Sequence, residues 1–183
     1  YYHFLVEVLP RAQLAAGIAP PGTPILADDD MPAQHYQALR LYLPHNPVLR
    51  LPRMRSFRVA RLYAAAMPNI VQDAFGADEV AVDAVRYHPQ ALRALAAIAP
   101  ALTDRQEPQR LFLWRVSGAR RLLNASAFHE ALASRDFTTA NCAVLSFADQ
   151  VRLFAAARAV VGQTGAHLAN MLFAPKGTPV FPL

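Results

Sequence analysis

Residues 146–183, SFADQVRLFAAARAVVGQTGAHLANMLFAPKGTPVFPL, decide how this chain is read. Ser146 precedes an apolar stripe of Phe147, Val151, Leu153, Phe154 and Ala157, with Asp149 three residues on. That is the arrangement of a capped amphipathic helix. Ala159-Val160-Val161 reads as a short buried strand, and Gly162-Gln163-Thr164-Gly165 as a loop. Residues 166–173 form a second helix, Lys176-Gly177 a turn, and residues 178–181 a last strand. Such alternation predicts one edge of a parallel α/β sheet, with the glycine loop opening at a strand end.

Working outward, Leu111-Phe112-Leu113-Trp114 is a buried strand that runs into a basic loop, residues 115–121. Asn124 is placed to cap a helix reaching about Ser134, and Phe137-Thr138-Thr139 reads as a weaker strand. Polar residues around Pro108 mark the clearest internal boundary, dividing the chain into parts 1–104 and 105–183. The first part opens with apolar residues Phe4, Leu5, Val8 and Leu9 at mostly helical spacing, a helix that Pro10 kinks or ends. A strand at residues 24–27, a helix over 32–43 and a helix over 88–99 follow. Residues 57–63 alternate and predict a strand lining a groove, whereas residues 69–85 are acidic and poorly patterned.

The 183 residues suffice for one substantial core or two small ones. A 54% hydrophobic content and a mean hydropathy of +0.16 owe much to alanine, and charges or prolines interrupt every apolar run before it could span a membrane. The opening, YYHFLVEVL, reads as the middle of an element, so a piece of a longer protein is expected. Of the 18 basic residues only Lys176 is a lysine. The net charge of +5 favours anionic ligands. With one cysteine, Cys142, no internal disulfide forms and no cysteine cluster holds a metal; neither the histidines nor Asp28-Asp29-Asp30 show metal-ligand spacing.

Three groups of residues could carry chemistry. In the loop, Gly162 and Gly165 would let a phosphate approach backbone N–H groups at a helix N-terminus, Thr164 offers a hydroxyl, and His167 stands in the first turn. A tight strand–helix turn with no ligand explains the same residues. Arg115, Arg120 and Arg121 follow a strand end, where α/β folds place ligand loops, and would face a diphosphate if their strand neighbours residues 159–161. A solvated loop is the alternative. Asn170 and Asn124 read equally as a helix-surface group and a cap. His3 and Glu7 stand four apart, so the carboxylate can orient the imidazole, or either group can act as general base toward a hydroxyl; an exposed ion pair reads the same way. Arg50, Arg53, Arg55, Arg58 and Arg61 support a rival, a non-catalytic basic module binding nucleic acid or another polyanion, although aromatic residues for stacking are sparse there. No dinucleotide fingerprint is present, which argues against a nucleotide-dependent oxidoreductase.

Three blocks, residues 1–11, 111–124 and 147–177, resemble glycosyltransferase family 61 in family order. The resemblance implies a GT-B-like fold of Rossmann-like halves and an inverting transfer from a nucleotide-sugar donor to a saccharide acceptor, in surface or capsular polysaccharide synthesis. It implies no cofactor, no metal and no nucleic-acid partner, and a cytoplasmic location, peripheral to the membrane in the full-length protein. His3 and Glu7 match the family's opening histidine and acidic positions and take the catalytic role. Arg115, Arg120, Arg121, Gly162, Thr164, Gly165, His167 and Asn170 map to the donor diphosphate, the N-terminal part taking the acceptor. The chain departs from the family at this loop: GQTGAHLAN, residues 162–170, stands where the family often reads G-x-H-G-A-G-L-T-N, so Thr164 replaces a histidine.

Overall fold

Apolar residues in strands that are covered on both faces read as continuous runs, and residues 109–162 contain two of them. The computed structural model describes residues 1–71, 85–103, 107–115 and 122–183, which form two compact units, Tyr1–Leu95 and Ala96–Leu183.

The second unit is a four-stranded, all-parallel sheet. Its strands are β5 (Gln109–Leu113), β6 (Phe137–Ala140), β7 (Ala157–Gly162) and β8 (Val180–Pro182), in the order β6-β5-β7-β8. Helix α5 (Ala125–Ala133) links β5 to β6, and α6 (Phe147–Ala155) links β6 to β7. Leu111, Phe112, Leu113, Val160, Phe147, Val151 and Phe154 make its core. Each fully buried Leu or Phe contributes about 1.5–3 kcal/mol relative to exposure. The expected cap is present: the Ser146 hydroxyl accepts from the Asp149 N–H at 3.1 Å and donates to Asp149 Oδ2 at 2.6 Å. Asn124 differs, because it precedes α5 without a side-chain capping bond. Residues 166–173 also differ, forming a 3-10 helix, Ala166–Phe173. Beneath it Phe173 meets Phe147 edge-on at 5.9 Å.

The first unit contains a short βαβ: β1 (Ile25–Asp28), α2 (Ala33–Tyr42) and β2 (Val48–Leu51), with β1 parallel to β2. A two-residue pair, β3 (Ile70–Val71) with β4 (Val85–Arg86), is antiparallel. Residues 57–63 are not a strand but irregular chain, because no described strand pairs with them; Val59, Arg61, Leu62 and Tyr63 nonetheless line a cavity of about 600 Å³ with Phe4 and Ala15. The helix expected over 88–99 is α3 (Pro89–Ala96), and a separate short helix, α4 (Ala99–Leu102), follows it in the second unit. Pro100 explains the break, since it offers no N–H to the Ala96 carbonyl.

Pro10 neither ends nor simply kinks the first helix. It sits at the second position of α1 (Leu9–Ile18), and the chain before it, Phe4–Val8, is a π-helical turn. The carbonyl that a Pro10 N–H would have met belongs to Val6, and the buried Asn69 amide donates to it instead. The wider turn also changes which residues face inward: Val6 is buried and Val8 is 47% exposed, the reverse of an α-helical reading.

Candidate functional site

Parallel strands wound β6-β5-β7 put the neighbours of β5 on opposite sides, so the direction of winding reverses between β5 and β7. Open α/β sheets bind ligands at the carboxyl ends of strands flanking such a reversal. Here those ends are Trp114-Arg115 and the loop 162–165, which the pairing Leu113↔Gly162 sets side by side. The condition placed on Arg115 is therefore met: its strand is the direct neighbour of β7.

Arg115 packs onto the loop. Its N–H donates to Gln163 Oε1 at 2.8 Å, and its guanidinium Nη1 to the Thr164 carbonyl at 3.3 Å. Gly165 permits this closeness, since a Cβ there would lie 2.6 Å from Nη1. Gly162 has a different reason. A Cβ on it would meet Leu113 Cβ at 2.9 Å, so its bareness serves the spacing of β5 and β7.

Other residues of the loop are placed differently from expectation. The Thr164 hydroxyl and N–H both donate to the Leu183 carbonyl, each at 3.0 Å. A hydroxyl has one proton, so this Thr164 does not also donate to a phosphate. Asn170 is fully buried, and its amide donates to Gln150 Oε1 at 2.8 Å. Gln150 in turn donates to the carbonyls of Cys142 and Leu145, at 3.0 and 3.2 Å. Asn170 thus fastens the 3-10 helix to α6 from below and does not line the opening. Burial pushes the neighbouring Cys142 thiol up to about 11, leaving it a neutral packing group.

His167 is partly buried in the first turn of the 3-10 helix, with its Nε2 enclosed and unpartnered. Burial and then the Arg115 charge lower its pKa, while a hydrogen bond to the Gln163 backbone acts in the opposite direction. The imidazole is accordingly held neutral near pH 7. The first bond of this helix runs from the Leu168 N–H to the Gly165 carbonyl, so the N–H groups of Ala166 and His167 lie outside its ladder, at the positive end. Arg120 and Arg121 lie outside the described residues.

In the first unit, His3 Nδ1 and Glu7 Oε2 are 2.6 Å apart. The Glu7 side chain is 10% exposed and that of His3 is 48% exposed. A buried carboxylate thus holds a half-exposed ring by one nitrogen, which fixes the ring's orientation and directs the other nitrogen away from the carboxylate. Sequence reasoning passed over Asn69, whose carbonyl accepts from the His88 N–H at 2.6 Å while its amide holds Val6. It lay in a stretch without periodicity, and nothing local signalled it.

Three arginines of the basic run, Arg50, Arg53 and Arg61, have partners of their own. The Arg50 guanidinium lies 3.9 Å over the Tyr36 ring, Arg53 donates to Asp30 at 2.5 Å, and Arg61 reaches the Tyr63 hydroxyl at 3.5 Å. Among the described residues no three His, Cys, Asp or Glu side chains converge as metal ligands, and no helix is long and apolar enough to cross a membrane.

A comparison with curated proteins returned no match. The family model described as glycosyltransferase 61 matches residues 1–181, essentially the whole length. The chain belongs to glycosyltransferase family 61.

Proposed function

We infer that this glycosyltransferase domain takes a nucleotide-sugar donor at the carboxyl edge between β5 and β7 and transfers the sugar with inversion. The observation that supports this most is the reversal of winding at that edge, with Arg115 packed against the loop 162–165. The reading assigns residues 105–183 to the donor and residues 1–104 to the acceptor, in a GT-B-like construction serving surface or capsular polysaccharide synthesis at the cytoplasmic face of a membrane. Arg120 and Arg121 join the donor side on sequence alone.

The chemistry is a single displacement. A hydroxyl of the acceptor sugar gives its proton to His3, which Glu7 orients through Nδ1. The hydroxyl oxygen bonds to the anomeric carbon as the bond from that carbon to the phosphate oxygen breaks on the opposite face. The electron pair leaves with the nucleoside diphosphate. Arg115 and the N–H groups of Ala166 and His167 offset the charge that develops there. His167, held neutral near pH 7, adds no positive charge at that end.

Calorimetry of the full chain with UDP-, GDP- and CMP-sugars tests this. One donor class binds saturably, and Arg115→Ala weakens it roughly 10- to 100-fold, the worth of charge-assisted hydrogen bonds. Equal affinity in wild type and Arg115→Ala would overturn the donor assignment.

A further inference from the structure

The donor chemistry above uses the guanidinium side of β5 and leaves its other side unexplained. Side chains alternate along a strand, so consecutive residues project to opposite faces. Arg115 reaches the loop 162–165. Trp114, one residue before it, joins the aromatic residues under α5. Its indole centroid lies 4.9 Å from the His129 ring and 6.2 Å from Phe112. Phe112 is fully buried and meets Phe128 edge-on at 5.6 Å. Trp114 and His129 lie above it, both only partly buried. The Trp114 N–H of the backbone donates to the Ala140 carbonyl at 2.9 Å, which fixes the residue just past the carboxyl end of β5. The aromatic cluster therefore begins in the core at Phe112 and reaches the edge where the winding reverses.

We propose that Trp114 and His129 form the stacking platform for the heteroaromatic base of the nucleoside diphosphate. The inference rests on the donor-site reading and deepens it. A diphosphate at Arg115 and a base at Trp114 place one ligand across the end of a single strand, its anionic part on one face and its ring on the other. The indole and the imidazole, inclined at 53° to each other, form a pre-positioned aromatic corner whose indole face takes the base, and stacking on such a face tolerates any base. The platform selects for a nucleotide over a bare diphosphate and leaves the choice among bases to other groups.

Trp114 is the only tryptophan in the chain, so its fluorescence reports on this platform alone. The full chain is titrated with UDP, GDP, CDP, ADP and inorganic pyrophosphate, with fluorescence and calorimetry read in parallel. At least one nucleoside diphosphate should quench Trp114 at its calorimetric Kd, and pyrophosphate should compete with it without quenching. Trp114→Ala and, independently, His129→Ala should weaken that nucleoside diphosphate, the former by about 5- to 150-fold, and leave pyrophosphate affinity unchanged. Trp114→Phe should retain most of the binding. Calorimetric binding with unaltered fluorescence would overturn the platform and spare the donor site. Equal weakening of pyrophosphate by Trp114→Ala would reduce the residue to a structural one. Quenching by nucleotide sugars but by no nucleoside diphosphate would assign the ring to the sugar and overturn the base assignment. No calorimetric binding of any nucleoside diphosphate would refute the donor reading itself.

Discussion

Each of the two units is held together internally by a different kind of bond. In Ala96–Leu183 the backbone does most of the work: four parallel strands share one ladder, and the helices between them bury regular apolar stripes. In Tyr1–Leu95 the ladders are short, and polar side chains fasten distant backbone instead. Asn69 ties Val6 to His88, Arg11 holds the Ala65 carbonyl, Asn46 the Thr23 carbonyl, and Tyr42 the Leu95 carbonyl. Tyr36 does the same for Asp28. A ladder averages its stability over many equivalent bonds, whereas a fastener concentrates it in one side chain. Single substitutions should therefore hurt the first unit most at polar positions and the second most where backbones approach.

The sharpest way to break that contrast is Asn69→Ala. It leaves the Val6 carbonyl and the His88 N–H without their partner, at a cost of about 2–4 kcal/mol. Hydrogen exchange should quicken through Tyr1–Leu95 while the amides of β5 and β7 hold their protection; uniform quickening would erase the distinction. The second unit's counterpart is Gly162→Ala, whose added methyl collides with Leu113 and forces β5 from β7, at about 1–3 kcal/mol. Thermal denaturation checks it, and an unchanged Tm would mean the strand spacing yields freely.

A smaller effect concerns His35, which stacks on Phe4 with ring centroids 3.9 Å apart and has an enclosed, unpartnered Nε2. Burial is the leading cause that lowers its pKa from 6.5 to about 4. The unfolded chain then takes up the proton first as pH falls, so stability is lost between about pH 6.5 and 4 and not further below. Allowing for partial solvation, the loss is about 1–2 kcal/mol. His35→Phe should flatten the denaturation midpoint over that window, and an unaltered pH slope would mean that the ring is solvated.

The same contrast explains what could be read from sequence. Ser146, the stripe of α6, and the apolar runs of β5 and β7 are local signals, and each marks an element that exists. The adjacency of Arg115 to the loop followed from one further fact, the strand order. By contrast, nothing near Asn69 announces a partner at Val6, and β2 carries too short an apolar run to stand out from the basic stretch around it. At residues 166–173 helical spacing was visible, but spacing does not distinguish a 3-10 from an α-helix, nor does it show that Asn170 turns inward to Gln150. The loop was legible as a loop. That Thr164 is committed to Leu183 is a property of β8's path, which lies outside the motif.

The π-helical turn at Phe4–Val8 has a consequence for aim. Such a turn holds about one residue more than an α-turn, and one residue is about 100° of helical rotation. His3, just before the turn, is rotated by that angle relative to α1, and Glu7 lies within the turn itself. The bearing of the His3–Glu7 pair is thus set from downstream, by a proline that withholds a donor and an asparagine that replaces it. Pro10 and Asn69 act as the sight by which the pair is pointed.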